Sequence, residues 1–169
     1  MNPALLVAMA LLVSGVSVDT FETQAELQGL YDEISQATLQ FTTQSELDQF
    51  DDVLYTPDWS FTDAAGHTRT WPDMREEAFR ALSGPRVDSM IQPIRSVSVD
   101  ASGGATVVVN LVVVRTLVDS EGKYGRSGET HTLTDTTSFR DRWIKVSGAW
   151  KLKSRTQIGG PTELVDKPQ

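Results

Sequence analysis

Apolar residues in the first third of the chain recur at helical spacing. One group begins after Thr23 and a second precedes Pro57, with members three or four positions apart as on one face of a helix: Leu27, Leu30, Tyr31, Ile34 and Phe41, then Leu47, Phe50, Val53 and Leu54. Two pairs have the spacing of a capping box, Thr23 with Glu26 and Thr43 with Glu46. The pattern therefore predicts two helices that begin at these pairs, the second ending before Pro57.

The middle of the chain changes to short alternating segments. Residues 58–62 and 68–70 predict two short strands joined by a turn at 63–66. Pro72 suits the first turn of a third helix, which is predicted to end at Gly84 and Pro85 and to carry one apolar face of Met74, Ala78 and Leu82. A further strand is predicted over 94–99, followed by a turn at 101–104.

The last part of the chain predicts β structure. Long strands are expected at 105–118 and 129–145, and a last strand at 149–157. Residues 159–169 are rich in Gly, Pro and charge and predict a loose tail. The order α-α-β-β-α-β-β-β-β predicts one α+β domain over 18–158, in which the helices lie on one side of a curved antiparallel sheet.

The N-terminal segment is uncharged from Pro3 to Val18. It is shorter than the roughly 20 apolar residues of a membrane-spanning helix. Gly15 and Ser17 fit the −3 and −1 positions of a cleavage site, so residues 1–17 predict a signal peptide. No Lys or Arg precedes the apolar run, which leaves a buried helix or an uncleaved anchor as alternatives. The prediction is a secreted or periplasmic protein without a membrane span after cleavage.

Composition excludes several classes of function. The 169 residues are 39% hydrophobic, enough for one domain with a core. The net charge of −8 and the scattered basic residues argue against nucleic-acid binding. The chain has no cysteine, which excludes disulfides, thiolate catalysis and zinc–cysteine sites, and its two histidines argue against a histidine-rich metal site. We therefore expect neither a metal nor a cofactor.

Three stretches resemble a known class of proteins. They are YTPDWSFTDAAG at 55–66, MREEAFRAL at 74–82 and FRDRWIKVSGAWKL at 139–152. These stretches and the order of elements resemble the nuclear transport factor 2-like superfamily, with its SnoaL-like and ketosteroid isomerase-like branches, over residues 27–158. The resemblance implies the cone fold, a cone-shaped, curved antiparallel sheet with the N-terminal helices packed on its concave face. This class contains isomerases, dehydratases, epoxide hydrolases, polyketide cyclases and non-catalytic binders, so function has to be argued from the site.

The strand predicted at 129–145 carries the candidate chemistry. At period two, its inward face holds ionisable and apolar residues together: His131, Leu133, Asp135, Thr137, Phe139, Asp141 and Trp143. An apolar setting raises the pKa of a carboxyl group and prepares it for proton transfer. We predict Asp141 as the proton acceptor, with His131 or Asp135 beside it. The predicted pocket is lined by Tyr55, Trp59, Phe61, Arg115, Phe139 and Trp143.

A structural role for Asp141 is the alternative. A buried carboxylate is costly unless it is paired, and an ion pair with Arg115 or Arg155 would close the sheet without catalysis. The strand at 105–118 is apolar on both faces, with Val107 and Val109 on one and Val108 and Val112 on the other. Both faces should therefore be covered, one by the helices and the other by a second subunit, which predicts a homodimer.

Two functions follow from these patterns. The first is an exported domain that binds a small apolar organic ligand, either by binding alone or with metal-free acid–base chemistry of the isomerase, dehydratase or cyclase type. The second is a non-catalytic dimeric interaction module whose cone is filled by Trp59, Phe139 and Trp143. A cavity large enough for a ligand, on the order of 300 Å³ or more, distinguishes the first from the second.

Overall fold

A computed structural model describes residues 18–82 and 87–166 of the chain. Its helices are α1 (Val18–Thr38), α2 (Gln44–Leu54) and α3 (Trp71–Leu82). Its strands are β1 (Tyr55–Thr62), β2 (Thr68–Thr70), β3 (Val87–Ile91), β4 (Ile94–Val99), β5 (Ala105–Asp119), β6 (Glu129–Val146) and β7 (Ala149–Val165). The signal peptide predicted at 1–17 and the helix end predicted at Gly84 and Pro85 lie outside the described residues. Among the helices described, none is long and apolar enough to cross a membrane.

One of the two predicted capping boxes is present. The hydroxyl oxygen of Thr43 accepts a hydrogen bond from the backbone N–H of Glu46, and Oε2 of Glu46 accepts one from the N–H of Thr43, both at 3.2 Å. The helix start predicted at Thr23 was wrong, because α1 already begins at Val18 and no proline or glycine interrupts it before Thr23. That helix ends at Thr38, so Phe41 lies beyond it and packs on Phe50, with ring centroids 5.3 Å apart.

The seven strands form one curved, unclosed sheet in the order β2-β1-β7-β6-β5-β3, with β4 also paired to β5. The α+β prediction is confirmed, and the helices precede most of the sheet. The sheet is mixed, because β1 runs parallel to β7 while the other pairs are antiparallel. The strand β3 was not predicted, since Asp88 and Ser89 interrupt its apolar pattern.

The pairing of β5 with β6 keeps one register along the whole of β5, from Ala105 opposite Trp143 to Asp119 opposite Glu129. The period-two alternation of β6 therefore holds without a shift between these strands. Its predicted inward face includes five buried residues: His131, Leu133, Phe139, Asp141 and Trp143. Leu27 and Tyr31 of α1 belong to the same core as Trp143, so the first helix covers this face of the sheet.

The last strand is longer than expected. It reaches Val165 instead of ending at 157, and residues 162–165 pair with β6 where a loose tail was predicted at 159–169. Gly160 has φ +77°, and a Cβ there would lie 2.5 Å from the carbonyl oxygen of Thr136. The glycines that suggested a loose tail instead permit a bend and a close approach, and the β6–β7 register shifts beside them, between Thr136 and Phe139.

Candidate functional site

A cavity of about 470 Å³ lies between the helices and the sheet. Its volume falls within the roughly 300–1,000 Å³ typical of small-molecule sites. All three helices contribute side chains to it, as do β1, β3, β5, β6 and β7. Most of these side chains are apolar. The polar ones are few: Thr38, Asp51, Tyr55, Gln92, Arg115, Asp135 and Arg155.

Aromatic rings form one wall of the cavity. Tyr55 and Trp59 of β1 both line the cavity, and their rings are stacked. The ring centroids are 4.6 Å apart and the ring planes form an angle of 11°. Trp71, at the start of α3, meets both rings edge-on at 5.5 Å and 6.1 Å. Phe61 and Phe139 add a second contact, with centroids 6.3 Å apart. This wall offers flat, apolar surface to a ligand.

The carboxylate of Asp141 is completely buried and forms an ion pair with Arg155. The two residues stand directly opposite each other in the β6–β7 register. Nε of Arg155 donates to Oδ1 at 2.9 Å and Nη2 donates to Oδ2 at 2.7 Å. Arg155 lines the cavity, whereas Asp141 is buried and is not among the residues that line it. The geometry of Asp141 thus matches the alternative prediction, with Arg155 as the partner.

Tyr31 completes the hydrogen bonding of Asp141 from the first helix. Its hydroxyl donates to Oδ2 at 2.6 Å and accepts from Nε1 of Trp143 at 2.9 Å. Burial raises the pKa of Tyr31 well above its ordinary value, and the charge of Asp141 adds to the shift, so the hydroxyl remains a donor. Burial lowers the pKa of Arg155, but the charge and hydrogen bonds of Asp141 outweigh this and raise it.

Gln92 extends this network to the cavity. Its side-chain oxygen accepts a hydrogen bond from Nη2 of Arg155 at 3.1 Å, and its amide nitrogen donates to Oγ of Ser35 at 3.3 Å. Ser35 in turn donates to the backbone carbonyl of Tyr31 at 2.8 Å. Buried polar groups with this many partners are held in place, so the network fixes the guanidinium of Arg155 at the cavity wall.

Asp51 of α2 is a cavity residue that the sequence patterns did not single out. Its side chain is buried, and within the described part of the chain its Oδ2 has no hydrogen-bond partner. Burial raises the pKa of Asp51 to about 7, the charges of Asp48 and Asp52 add to the shift, and a hydrogen bond with Tyr55 opposes it. A signal was available, since Asp51 stands between Leu47 and Leu54 on the buried face of the helix.

Comparison with known proteins identifies the fold. No family model and no curated protein matches the chain. Solved structures do match. Aln2 from a Streptomyces species is 18% identical, with 80% of this chain and 89% of that chain covered and a TM-score of 0.57. A nuclear transport factor 2-like superfamily protein from Salmonella enterica is 14% identical, with coverage of 82% and 91% and a TM-score of 0.54. LinA is 16% identical, with coverage of 89% and 90% and a TM-score of 0.53.

The fold is nuclear transport factor 2-like. These identities are too low to transfer a function, so the likeness is one of fold. Within residues 18–82 and 87–166, no group of three or more His, Asp or Glu side chains is arranged to hold a metal ion.

The cavity brings together most of the residues predicted for the pocket: Tyr55, Trp59, Phe61, Arg115 and Phe139. It also includes Asp135, which forms an ion pair with Arg115 from the neighbouring strand. Trp143 lies in the core and not at the cavity wall; its ring meets Tyr31 edge-on at 5.5 Å.

His131 is remote from the other candidates. It is buried at the far end of β6, where Nε2 lies 4.0 Å from Asp119 and 3.9 Å from Glu129. Neither ring nitrogen has a hydrogen-bond partner in the described part of the chain. Because His131 does not line the cavity, it cannot act directly on a molecule bound there.

Proposed function

We propose that the protein binds a small, mainly apolar organic molecule in the cavity between its helices and its sheet. The supporting observation is the open volume of about 470 Å³, which has an aromatic wall and few polar groups. The alternative of a cone filled by Trp59, Phe139 and Trp143 has less support. The first two of these residues line an open volume, and the third lies outside it.

Arg155 and Gln92 are the groups that we expect to orient a polar atom of the ligand. Arg155 is held by Asp141, and its position at the wall leaves the guanidinium within the cavity lining. We therefore propose a positioning role for Asp141. The acid–base chemistry predicted for Asp141 stays a prediction, because Arg155 and Tyr31 already engage both of its oxygens.

A cavity-filling substitution tests the binding function. A panel of small aromatic compounds is screened against the full chain by ligand-observed NMR, and Kd values are then measured for the hits. Val113→Phe fills the cavity and should weaken the hits at least tenfold. Val118→Phe is the matched control on the same strand, because Val118 is 63% exposed and does not line the cavity. Absence of hits, or equal binding by Val113→Phe and the wild type, would refute the proposal.

We also propose that the protein is exported and forms a homodimer through the outer face of its sheet. Val108, Val112 and Val114 are only half-buried on this face, and an apolar face of this kind favours a partner surface. Light scattering of the wild type and Val112→Glu tests the dimer, which the glutamate should dissociate.

The proposed export has its own test. Sequencing the N-terminus of the protein after expression with its leader tests cleavage after residue 17.

A further inference from the structure

We propose that Asp51 anchors the ligand of this cavity and that the ligand is an apolar organic amine, whose protonated nitrogen pairs with the Asp51 carboxylate. This inference rests on the proposed binding function and specifies its ligand class.

The ionised side chains of the cavity wall are paired except at Asp51. Arg155 is paired with Asp141, and Arg115 is paired with Asp135. Each pair is neutral as a unit. Asp51 is the remaining acidic side chain of the lining, and no ion pair joins it to a basic residue among those described. When Asp51 ionises, the described lining therefore carries one uncompensated negative charge, which a cationic ligand would balance.

One oxygen of the Asp51 carboxyl also lacks a donor. Only 3% of the residue is exposed, and Oδ2 has no hydrogen-bond partner within the described ranges. Leaving a buried polar atom without a hydrogen-bond partner costs free energy, and the cost is larger when the atom is charged. An ammonium group provides up to three N–H donors and the opposite charge in one small group. It would donate a hydrogen bond to Oδ2 of Asp51 and would also stabilise the ionised carboxylate by its charge.

The charges around α2 favour a cation over an anion. Asp51 lies in the last turn of the helix, where the backbone carbonyls carry partial negative charge and no basic residue stands. The charges of Asp48 and Asp52 act in the same direction. The basic groups nearby are engaged elsewhere. Arg75 lies 3.7 Å from Asp48, and Lys151 donates to the backbone carbonyls of Asp52 and Val53.

Aromatic rings flank the same end of the cavity. Tyr55 follows Asp51 by four residues and lines the same cavity, and Trp59 stacks on Tyr55. Trp71 closes the group edge-on. The face of an aromatic ring attracts a cation placed within about 6 Å of its centre, and the attraction grows when water is excluded. A carboxylate beside aromatic rings is therefore suited to an amine that carries an apolar body.

A pair of isosteric probes tests the inference. The amine 1-naphthylmethylamine and the neutral alcohol 1-naphthalenemethanol are titrated by calorimetry into the full chain at pH 8, where Asp51 is ionised. The variants are Asp51→Asn and the control Asp52→Asn, which makes the same change at an exposed neighbour. We expect the amine to bind the wild type and Asp52→Asn at least tenfold more tightly than the alcohol does, and Asp51→Asn to bind both probes equally. Circular dichroism establishes that each variant is folded.

The pH dependence gives a second readout. The amine affinity of the wild type should rise at least tenfold between pH 5 and pH 8 as Asp51 ionises, and that of Asp51→Asn should stay flat over the same interval. Equal binding of the two probes by the wild type, or an amine preference that survives in Asp51→Asn, overturns the inference. If Val113→Phe still weakens both probes in that case, the binding function stands. If neither probe binds and the compound panel yields no hit, both proposals fail.

Discussion

The hydroxyl of Tyr31 donates a hydrogen bond of 2.6 Å to the carboxylate of Asp141, although 110 positions separate the two residues in the sequence. The bond joins the first helix to the central strand β6. Asp141 is fully buried, and three hydrogen bonds from Tyr31 and Arg155 stabilise its charge. The same contacts hold the helix on the sheet and fix Arg155 at the cavity, so folding and site geometry depend on the same side chains.

Asp141→Asn is expected to destabilise the protein by about 3 kcal/mol or more, because it leaves the buried guanidinium of Arg155 without its counter-charge. The free energy of unfolding is measured in urea at pH 7. Asp58→Asn is the control, because it breaks an exposed ion pair with Lys153 and should have a far smaller effect. A neutral or stabilised Asp141→Asn would instead indicate a carboxylate kept for function at a cost in stability.

Tyr31→Phe should lower the free energy of unfolding by roughly 1.5–3 kcal/mol, the usual range for a hydrogen bond to a charged group. The variant also removes the acceptor for Nε1 of Trp143. Tyr124→Phe removes an exposed hydroxyl bonded to Glu163 and should change stability much less. If the two variants lose the same stability by urea denaturation, Tyr31 does not support the buried carboxylate as described.

The pKa of Asp51 predicts a pH dependence of stability. Folding raises this pKa from 3.8 to about 7, so between these values the folded state holds a proton that the unfolded state has lost. The contribution of Asp51 to stability is therefore most favourable at acidic pH and declines as pH rises to about 7. The contribution is on the order of 4 kcal/mol, at 1.36 kcal/mol per pH unit.

Asp51→Asn removes this titration. Its free energy of unfolding relative to the wild type should therefore increase from pH 4 to pH 7 and level off above. Asp52→Asn should give a nearly flat difference across the same series. A flat difference for Asp51→Asn as well would mean that the carboxyl titrates normally in the folded protein.

Gly160→Ala should destabilise the protein more than Gly66→Ala does. Both glycines have positive φ, so both substitutions strain the backbone. At Gly160 the added methyl would also lie 2.5 Å from the carbonyl oxygen of Thr136, whereas at Gly66 it would meet nothing within 4 Å. Thermal unfolding of the two variants measures the difference. Equal losses of stability in the two variants would show that the strands β6 and β7 move apart at Thr136 without a cost in free energy.

Periodicity was sufficient to predict the elements that have strong patterns. The inward face of β6 followed from alternation alone, because its pairing with β5 has no shift to invert it. Tyr31 was placed on the buried face of its helix by the same reasoning. Its bond with Asp141 was not predictable, since that contact depends on how α1 lies across the sheet.

Two features were missed because their meaning is set by tertiary contacts. Asp51 occupies an apolar position of α2, but a polar residue there marks a cavity only when neighbouring elements leave space around it. Gly160 belongs to a segment whose composition is typical of loose tails. Its freedom of conformation instead allows β7 to bend and continue against β6.

The covering of β5 has a consequence for association between molecules. One side of this long strand pairs with β6, and the other pairs between Ala105 and Arg115 with β4 and β3, of six and five residues. At the opposite side of the sheet, β2 has only three residues. Long unpaired strands serve as templates for pairing with other chains, whereas short ones do so poorly. The valine-rich part of β5 is therefore withheld from pairing with other chains, whereas β7 beyond Thr156 has no outer partner strand among the described residues and is the edge on which a second chain could pair.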